Sequence, residues 1–218
     1  TTNGLHLSRL AKDLKKAGLN GVNVSLDGMS EKRFTHIARR SGFHEVVKGI
    51  DAALDAGLKV KINTVLMKQN FDDVPDFLKF AEERSIEIRF LELMKIGVAL
   101  DFFEDQFVPA KELLHHLKKT YQLEQMPTPE DSTAFKYCLN NGVVVGFIAS
   151  ESLPFCGSCS RLRLTPKGVL RSCLMKEDGL NLRGLSLAEY PAIIKRVLKD
   201  KPFERIEKIE QPMYQIGG

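Results

Sequence analysis

Val22-Asn23-Val24-Ser25-Leu26-Asp27 alternates apolar and polar side chains without a break, which is the period of a β-strand with one face against a core. Lys59 to Leu66 alternates in the same way, and Glu87 to Met94 supplies a third strand. Apolar residues at helical spacing fill the intervals between them. The predicted helices lie at residues 7–14 before Gly18, after Ser30, at residues 43–54 before Gly57, and after a cap at Asp72 or Asp73, with Pro75 in the first turn. Strand–helix repeats of this length predict an α/β fold with a parallel sheet.

The polar faces of these strands indicate which kind of parallel sheet is present. Asn23, Ser25 and Asp27 share one face of the first strand, and Lys61 and Asn63 share one face of the second. A doubly wound sheet buries both faces of its central strands, and a closed barrel fills its interior with aliphatic side chains. Polar faces therefore favour an open or ligand-filled barrel. Three strands cannot close one, so we expect further strands before Thr1.

Composition and charge exclude several classes of protein. The chain has 218 residues, of which 43% are hydrophobic and 28% charged, as in ordinary folded proteins rather than disordered ones. No apolar run reaches the roughly 18 residues of a transmembrane helix. The formal net charge is only +4, and the basic residues are scattered among acids. We therefore expect neither a membrane nor a nucleic-acid partner, although an anionic ligand fits the mild excess.

A second region follows residue 96, because the periodicity breaks between Gly97 and Phe107. We predict two domains, residues 1–96 and residues 97–218, the second being a small cysteine-bearing α+β domain. Its predicted elements are a helix at 109–117, strands at 142–150, 161–165 and 169–174 with a turn at Lys167-Gly168, and a last helix that starts at a Ser186/Glu189 capping box and runs through 198 despite Pro191.

The strongest chemical signal is the spacing C-x2-C-x13-C formed by Cys156, Cys159 and Cys173. Three readings stay open on spacing alone. The cysteines are buried without a metal, or they bind zinc with Cys138 as fourth ligand, or they carry a [4Fe–4S] cluster with one iron left open.

Basic residues beside the cysteines point to an anionic ligand. Arg161 and Arg163 alternate after Cys159, so they share a face, and two guanidinium groups suit phosphate oxygens. Lys61 lies on a polar strand face. Each of these residues is also compatible with an ordinary role, the arginines at the surface and Lys61 in an ion pair. Together they indicate a phosphorylated substrate.

Five segments of the sequence form a recognisable set: Thr1-Thr2-Asn3-Gly4, residues 23–27 (NVSLD), 88–94 (IRFLELM) and 155–163 (FCGSCSRLR), and the terminal Gly217-Gly218. Together they resemble the molybdenum cofactor biosynthesis protein A family of radical S-adenosylmethionine (SAM) enzymes, which have GTP 3′,8-cyclase activity. The resemblance covers essentially the whole chain.

The resemblance implies the C-terminal half of an incomplete (βα)6, TIM-like radical SAM barrel with a small C-terminal Fe–S domain. It makes Cys156, Cys159 and Cys173 the ligands of a substrate-side [4Fe–4S] cluster, whose open iron contacts the guanine of GTP. The remaining roles implied are GTP binding by Thr1, Lys61, Arg161, Leu162 and Arg163, SAM binding by Ser25 and Met94, and an active-site tail at Gly217 and Gly218.

The family's second cluster, which cleaves SAM, belongs to a C-x3-C-x2-C motif that does not occur in this sequence. We therefore expect a truncated chain that assembles at most the substrate-side cluster, starts no radical chemistry and has no identifiable catalytic residue. Its unpaired strand edges predict poor solubility. In the intact enzyme, SAM and the second cluster would convert GTP to 3′,8-cyclo-7,8-dihydroguanosine 5′-triphosphate.

The expected partners are GTP, an electron donor and the cyclic pyranopterin monophosphate synthase that acts next, and a homodimer is compatible with the resemblance. A reducing cytoplasm is the expected location, with an organelle as the alternative. Two other functions stay open. One is an auxiliary-cluster radical SAM enzyme that acts on a peptide, and the other is a zinc-stapled binding domain.

Overall fold

The computed structural model describes residues 1–216, and its first ninety residues alternate between helices and strands as the periodicity predicts. The elements up to residue 92 are α1 (Leu7–Lys16), β1 (Gly21–Ser25), α2 (Glu31–Ala38), α3 (Phe43–Asp55), β2 (Lys59–Leu66), a 3-10 helix (Lys68–Asp73), α4 (Val74–Arg84) and β3 (Glu87–Glu92). No helix in residues 1–216 combines the length and the apolar character needed to cross a membrane.

Shorter elements follow residue 92. They are a 3-10 helix (Gly97–Asp101), α5 (Phe103–Gln106), α6 (Ala110–Lys118), β4 (Leu123–Met126), β5 (Phe135–Leu139), β6 (Val144–Ile148), a 3-10 helix (Cys156–Ser158), β7 (Arg163–Leu164), β8 (Val169–Arg171), β9 (Leu180–Asn181), α7 (Tyr190–Lys199) and a 3-10 helix (Met213–Gln215).

The larger sheet confirms the predicted mixed α/β class with parallel strands. Within the described residues its strand order is β1-β2-β3-β6-β5-β4, in which the first four strands are parallel and the last two pairings are antiparallel. Its apolar face is fully buried, with Val24, Ile62 and Ile88 all at 0% exposure. The strand predicted at 142–150 therefore lies beside β3, in the same sheet as the first three strands.

The helix predicted after Asp72 or Asp73 begins at Val74 with Pro75 in its first turn, whereas the last helix begins later than predicted. The carboxylate of Asp73 does not cap α4, because its oxygens accept a hydrogen bond from the Met29 N–H and pair with Arg33. The Glu189 carboxylate accepts hydrogen bonds from the backbone N–H and the hydroxyl of Ser186, so one half of the predicted capping box forms. The helix nevertheless begins only at Tyr190. This start puts Pro191 in the first turn, where its missing N–H costs nothing.

The chain divides into two compact units. Unit 1 contains residues 1–92, 106–128 and 134–149, and therefore the six-stranded sheet. Unit 2 contains residues 93–105, 129–133 and those from Ser150 onward. Compactness thus assigns part of the region after residue 96 to the first unit, and the predicted domain boundary at that residue stays a prediction.

Unit 2 has its own small sheet, in which β7, β8 and β9 are antiparallel neighbours. The predicted turn between β7 and β8 is confirmed, since the Gly168 N–H donates to the Thr165 carbonyl at 2.9 Å. Gly97 has a φ of +53°, and a Cβ there would lie 2.9 Å from the Cα of Pro212. A glycine at this position therefore allows the segment around Pro212 to lie against residues 96–97.

Candidate functional site

The strand register of unit 1 brings the predicted polar residues together on one face of the sheet. In the parallel pairings Ser25 lies beside Asn63, and Asn63 lies beside Arg89. One row toward the amino ends, Lys61 lies between Asn23 and Glu87. We call the side chains on this face the polar face. It comprises Asn23, Ser25, Asp27, Lys61, Asn63, Glu87, Arg89 and Lys136.

Three cations surround one carboxylate on the polar face. Lys61 Nζ lies 3.0 Å and Lys136 Nζ 2.9 Å from Glu87 Oε2, and Arg89 Nε lies 2.6 Å from Oε1. Burial alone would raise the pKa of Glu87, but the hydrogen bonds from Lys136, Arg89 and Lys61 outweigh it and lower the pKa to about 2. The group of four therefore carries a net charge of +2 at neutral pH.

We call Lys61, Glu87, Arg89 and Lys136 the charge cluster. Gly146 of β6 leaves space for its side chains. It lies between Arg89 and Lys136 in the strand register, and a Cβ at residue 146 would stand 3.1 Å from the Cγ of Arg89. A larger residue would therefore press on the arginine side chain that the cluster holds. The glycine leaves the Arg89 side chain space to extend across the face toward Glu87.

Asp27 lies at the carboxyl end of β1, where burial raises the pKa of its carboxyl group to about 6. A hydrogen bond from the Val65 N–H, 2.7 Å from Asp27 Oδ1, opposes this effect only in part. The buried Asn70 amide donates to the Asp27 carbonyl at 2.9 Å and fixes the backbone there. Asp27 is thus a partly buried acid whose pKa lies at about 6.

The structure places the residues implied for SAM and GTP in both units. Ser25 and Lys61 lie on the polar face, and Thr1 is an exposed residue next to the Thr2–Val24 bridge of the same unit. Met94 belongs to unit 2. Gly217 and Gly218 lie outside the described residues.

Cys156, Cys159 and Cys173 all lie in unit 2, partly buried and not in disulfides, and we call them the cysteine cluster. Burial raises the pKa of the Cys156 thiol, and the neighbouring thiols of Cys173 and Cys159 raise it further, while Lys201 and Arg161 oppose this. Negative charge on Cys159 or Cys173 therefore opposes ionisation of the Cys156 thiol.

Backbone and side-chain contacts hold the cysteine cluster in place. The Cys159 N–H donates to the Cys156 carbonyl at 3.2 Å, and the Met175 N–H donates to Cys173 Sγ at 3.4 Å. Lys201 Nζ donates to the carbonyl oxygens of Arg161 at 2.6 Å and Ser172 at 2.7 Å. One ammonium group thereby ties together the two segments that carry the cysteines.

The donor set of the cysteine cluster fits a metal group that favours sulfur, such as an iron–sulfur cluster. Nowhere in residues 1–216 do three or more His, Cys, Asp or Glu side chains form a group that could hold a metal ion. Cys138, the fourth ligand of the zinc alternative, lies in β5 of unit 1. The sulfur donors therefore suit an iron–sulfur cluster and also suit zinc, so both alternatives stay open.

Arg161 lies beside the cysteine cluster with part of its guanidinium group unpaired. Its Nη1 donates to the Asp131 carbonyl at 3.1 Å, and its Cζ stands 5.1 Å from the centre of the Phe155 ring. Its Nη2 is buried without a hydrogen-bond partner in the described residues. An orphaned buried donor is costly, so this nitrogen is suited to an acceptor on a ligand. Leu162 and Arg163 continue the chain from here into β7.

Sequence reasoning missed three members of the charge cluster. Glu87 and Arg89 alternate on β3, so their shared face could have been read from the period of the strand. Lys136 gave no such signal, because its partner Glu87 lies 49 residues away in the chain. The role of Lys201 could not be predicted from the sequence either, because it depends on carbonyl oxygens of two distant segments.

Each part of the chain matches the model of a protein family, and several relatives of the whole chain share one name. Residues 1–81 match the model of the Radical SAM superfamily, and residues 86–208 match the model described as Molybdenum Cofactor Synthesis C. A protein of Synechocystis sp. named GTP 3′,8-cyclase is 40% identical over 219 residues, which cover all of this chain and 67% of that protein. Proteins of the same name from Clostridium botulinum and Helicobacter pylori are each 36% identical. Their alignments cover 100% and 95% of this chain and 71% and 64% of the relatives.

Proposed function

Because the chain belongs to the GTP 3′,8-cyclase family of radical SAM enzymes, which acts in molybdenum cofactor biosynthesis, we propose that its residues bind GTP and support its cyclisation. The observation that carries this proposal is the charge cluster on the polar face. Lys61, Arg89 and Lys136 outnumber their single carboxylate, Glu87, by two charges. A triphosphate supplies the missing negative charge, and its oxygens accept the hydrogen bonds that lysine and arginine donate.

The cysteine cluster supports the second half of the proposal. Cys156, Cys159 and Cys173 would hold a [4Fe–4S] cluster and leave one iron without a protein ligand, which when bound supplies a Lewis-acid position for an oxygen or nitrogen atom of guanine. Lys201 keeps the two cysteine segments together. Arg161, Leu162 and Arg163 follow directly and contact the nucleotide in this proposal, with the unpaired Nη2 of Arg161 as the first donor.

Thr1 is the remaining GTP contact in the proposal, and Ser25 and Met94 are the SAM contacts. SAM and a second [4Fe–4S] cluster supply the radical chemistry of the family. The parallel order β1-β2-β3-β6 supports assigning this sheet to an incomplete (βα)6 barrel. The two family models meet between residues 81 and 86, which supports a division of the chain into barrel residues and an Fe–S domain.

The experiment that tests the proposal combines metal analysis with nucleotide titration. After anaerobic purification and reconstitution, iron, sulfide and zinc are measured per chain, and GTP is titrated against ATP as the control nucleotide. We expect about four irons and four sulfides, and binding that prefers GTP. Cys159→Ser should lose the iron, whereas Cys138→Ser should keep it.

Other outcomes would favour the alternatives. One zinc per chain without sulfide, lost in Cys138→Ser, would indicate the zinc-stapled domain. Equal binding of GTP and ATP would contradict a guanine site, and preferential binding of a peptide would favour an auxiliary-cluster enzyme of different substrate. The electron donor, the next enzyme of the pathway and a homodimer remain proposed partners.

A further inference from the structure

Arg171 is a buried arginine whose hydrogen bonding is incomplete. It lies at the end of β8, and only 6% of it is exposed. Its Nη2 donates to Gln211 Oε1 at 2.8 Å, but Nε and Nη1 are buried with no hydrogen-bond partner in the described residues. A guanidinium group out of water with two unused donors is strongly unfavourable unless an anion completes its contacts.

The neighbours of Arg171 in the small sheet increase its need for an anion. Arg163 lies directly opposite it in the antiparallel pairing of β7 and β8, so both side chains project from the same face of the sheet. Like charges directly opposite one another destabilise a sheet. The protein therefore places a second positive charge beside a guanidinium group that already lacks acceptors.

On its other side, Arg171 is packed closely against a glycine. Continuing the β8–β9 register by one residue puts Gly179 opposite Arg171. A Cβ at residue 179 would lie 2.9 Å from the Cγ of Arg171 and 2.5 Å from the carbonyl oxygen of Leu170. Because the backbone of Gly179 does not have a positive φ, the requirement for glycine comes from this close approach. A side chain at residue 179 would therefore displace the arginine.

We propose that Arg171 is an anion-binding residue of unit 2 that donates Nε and Nη1 to phosphate oxygens of the nucleotide, on the sheet face it shares with Arg163. The inference rests on the proposed GTP function for the identity of the anion. Nε–H and Nη1–H point in different directions, so each would donate to a separate phosphate group. A triphosphate fits because it offers several groups whose oxygens are negatively charged acceptors.

The test uses inorganic triphosphate and GTP as probes, titrated into the reconstituted full chain by calorimetry. Arg171→Met keeps the length of the side chain and removes the charge. We expect its affinity for both probes to fall about tenfold or more, which is the loss of a charge-assisted hydrogen bond. We also expect that the melting temperature of the unliganded chain does not fall, because the variant removes a buried charge that has one neutral acceptor, Gln211, and two donor atoms without a partner in the described residues.

Two controls separate ligand binding from other effects. Arg183→Met removes the same charge from an exposed arginine whose Nη2 donates to the Pro166 carbonyl, and its affinity should stay within about twofold of the wild type. Gln211→Leu removes the one protein partner of Arg171 and should also leave the affinity within about twofold.

Several results would overturn the inference. They are unchanged triphosphate affinity in Arg171→Met, no triphosphate binding by the wild type, a loss in Gln211→Leu as large as in Arg171→Met, or loss of iron together with affinity. The last would assign the unused donors to the metal group. A wild-type chain that binds triphosphate but does not prefer GTP to ATP would contradict the proposed function and leave Arg171 as an anion site.

Discussion

Glu87→Gln tests whether the charge cluster is held together by its carboxylate. The substitution keeps the shape of the side chain and removes the charge that Lys61, Arg89 and Lys136 share. Lowering the pKa of Glu87 from its ordinary 4.5 to about 2 corresponds to about 3 kcal/mol of native-state stability at neutral pH. Because only 13% of the Glu87 side chain is exposed, solvent screens little of this.

The sign of the pH dependence follows from the lowered pKa. A carboxylate with a depressed pKa stabilises the folded state above its unfolded pKa, and the contribution disappears as the pH falls through the folded value. For Glu87 that window runs from about pH 4.5 down to about pH 2. The difference in unfolding free energy between wild type and Glu87→Gln should be about 3 kcal/mol at pH 7 and about half of that at pH 3.

The measurement is urea unfolding followed by far-UV circular dichroism at pH 7, 5, 4 and 3. Glu83→Gln is the matched control, because the Glu83 side chain is 54% exposed and pairs with Arg84 at 3.5 Å. That variant should differ from wild type by less than about 0.5 kcal/mol at every pH. If the unfolding free energy of Glu87→Gln differs from that of wild type by equally little at pH 7, or by the same amount at every pH, the Glu87 carboxylate does not stabilise the charge cluster as argued.

Three further predictions concern individual residues. Lys61→Met should weaken binding of inorganic triphosphate about tenfold, measured by calorimetry, whereas Lys59→Met on the exposed start of the same strand should not. For Asp27, the raised pKa means that ionisation destabilises the fold as the pH rises from 3.8 through about 6, so Asp27→Asn should gain up to about 3 kcal/mol over wild type across that range in urea unfolding. Lys201→Met should lower the iron content after reconstitution, whereas the exposed Lys199→Met should keep the wild-type content; equal contents would contradict the role of Lys201 as a clamp.

The parallel α/β arrangement could be predicted because its signals are local. Alternation in residues 22–27 and 59–66 defines two strands, and the serine hydroxyl at residue 30 caps the following helix by accepting a hydrogen bond from Arg33. At Asp73 the same reasoning found where the helix begins but was wrong about the capping bond, because the carboxylate has two partners, Met29 and Arg33, that lie more than 35 residues away. Local capping rules hold only where no tertiary partner competes for the side chain.

The far half of the large sheet was harder to predict. Residues 135–139 alternate Phe, Lys, Tyr, Cys and Leu, which is a strand signal. Because a separate region was predicted after residue 96, this segment was not assigned to the sheet of the first three strands. The parallel pairing of β6 with β3 joins residues more than fifty positions apart. Such pairings depend on packing across the whole unit, and no local pattern specifies them.

In the candidate sites, too, local sequence patterns were informative, whereas contacts between distant residues could not be predicted. The spacing of Cys156, Cys159 and Cys173 predicted a common metal site. All three lie in one unit, but their side chains do not form a group that could hold a metal ion in the described residues, so the site stays a prediction. Nothing in the sequence indicated that Lys201 would bridge their segments. Spacing identifies ligands, but the residues that support them come from elements brought together by folding.

The proposed anion binding depends on the positions of the charges more than on their number. The net charge of +4 is small, and most basic residues are solvated, where a charge contributes little to binding. Among the described residues, three partly buried cations of unit 1 share one carboxylate, Glu87, and the buried Arg171 of unit 2 has no carboxylate among its hydrogen-bond partners. A charge held away from water keeps its attraction for a ligand, because neither solvent nor salt screens it well. We therefore expect each unit to contribute positive charge to the proposed phosphate contacts.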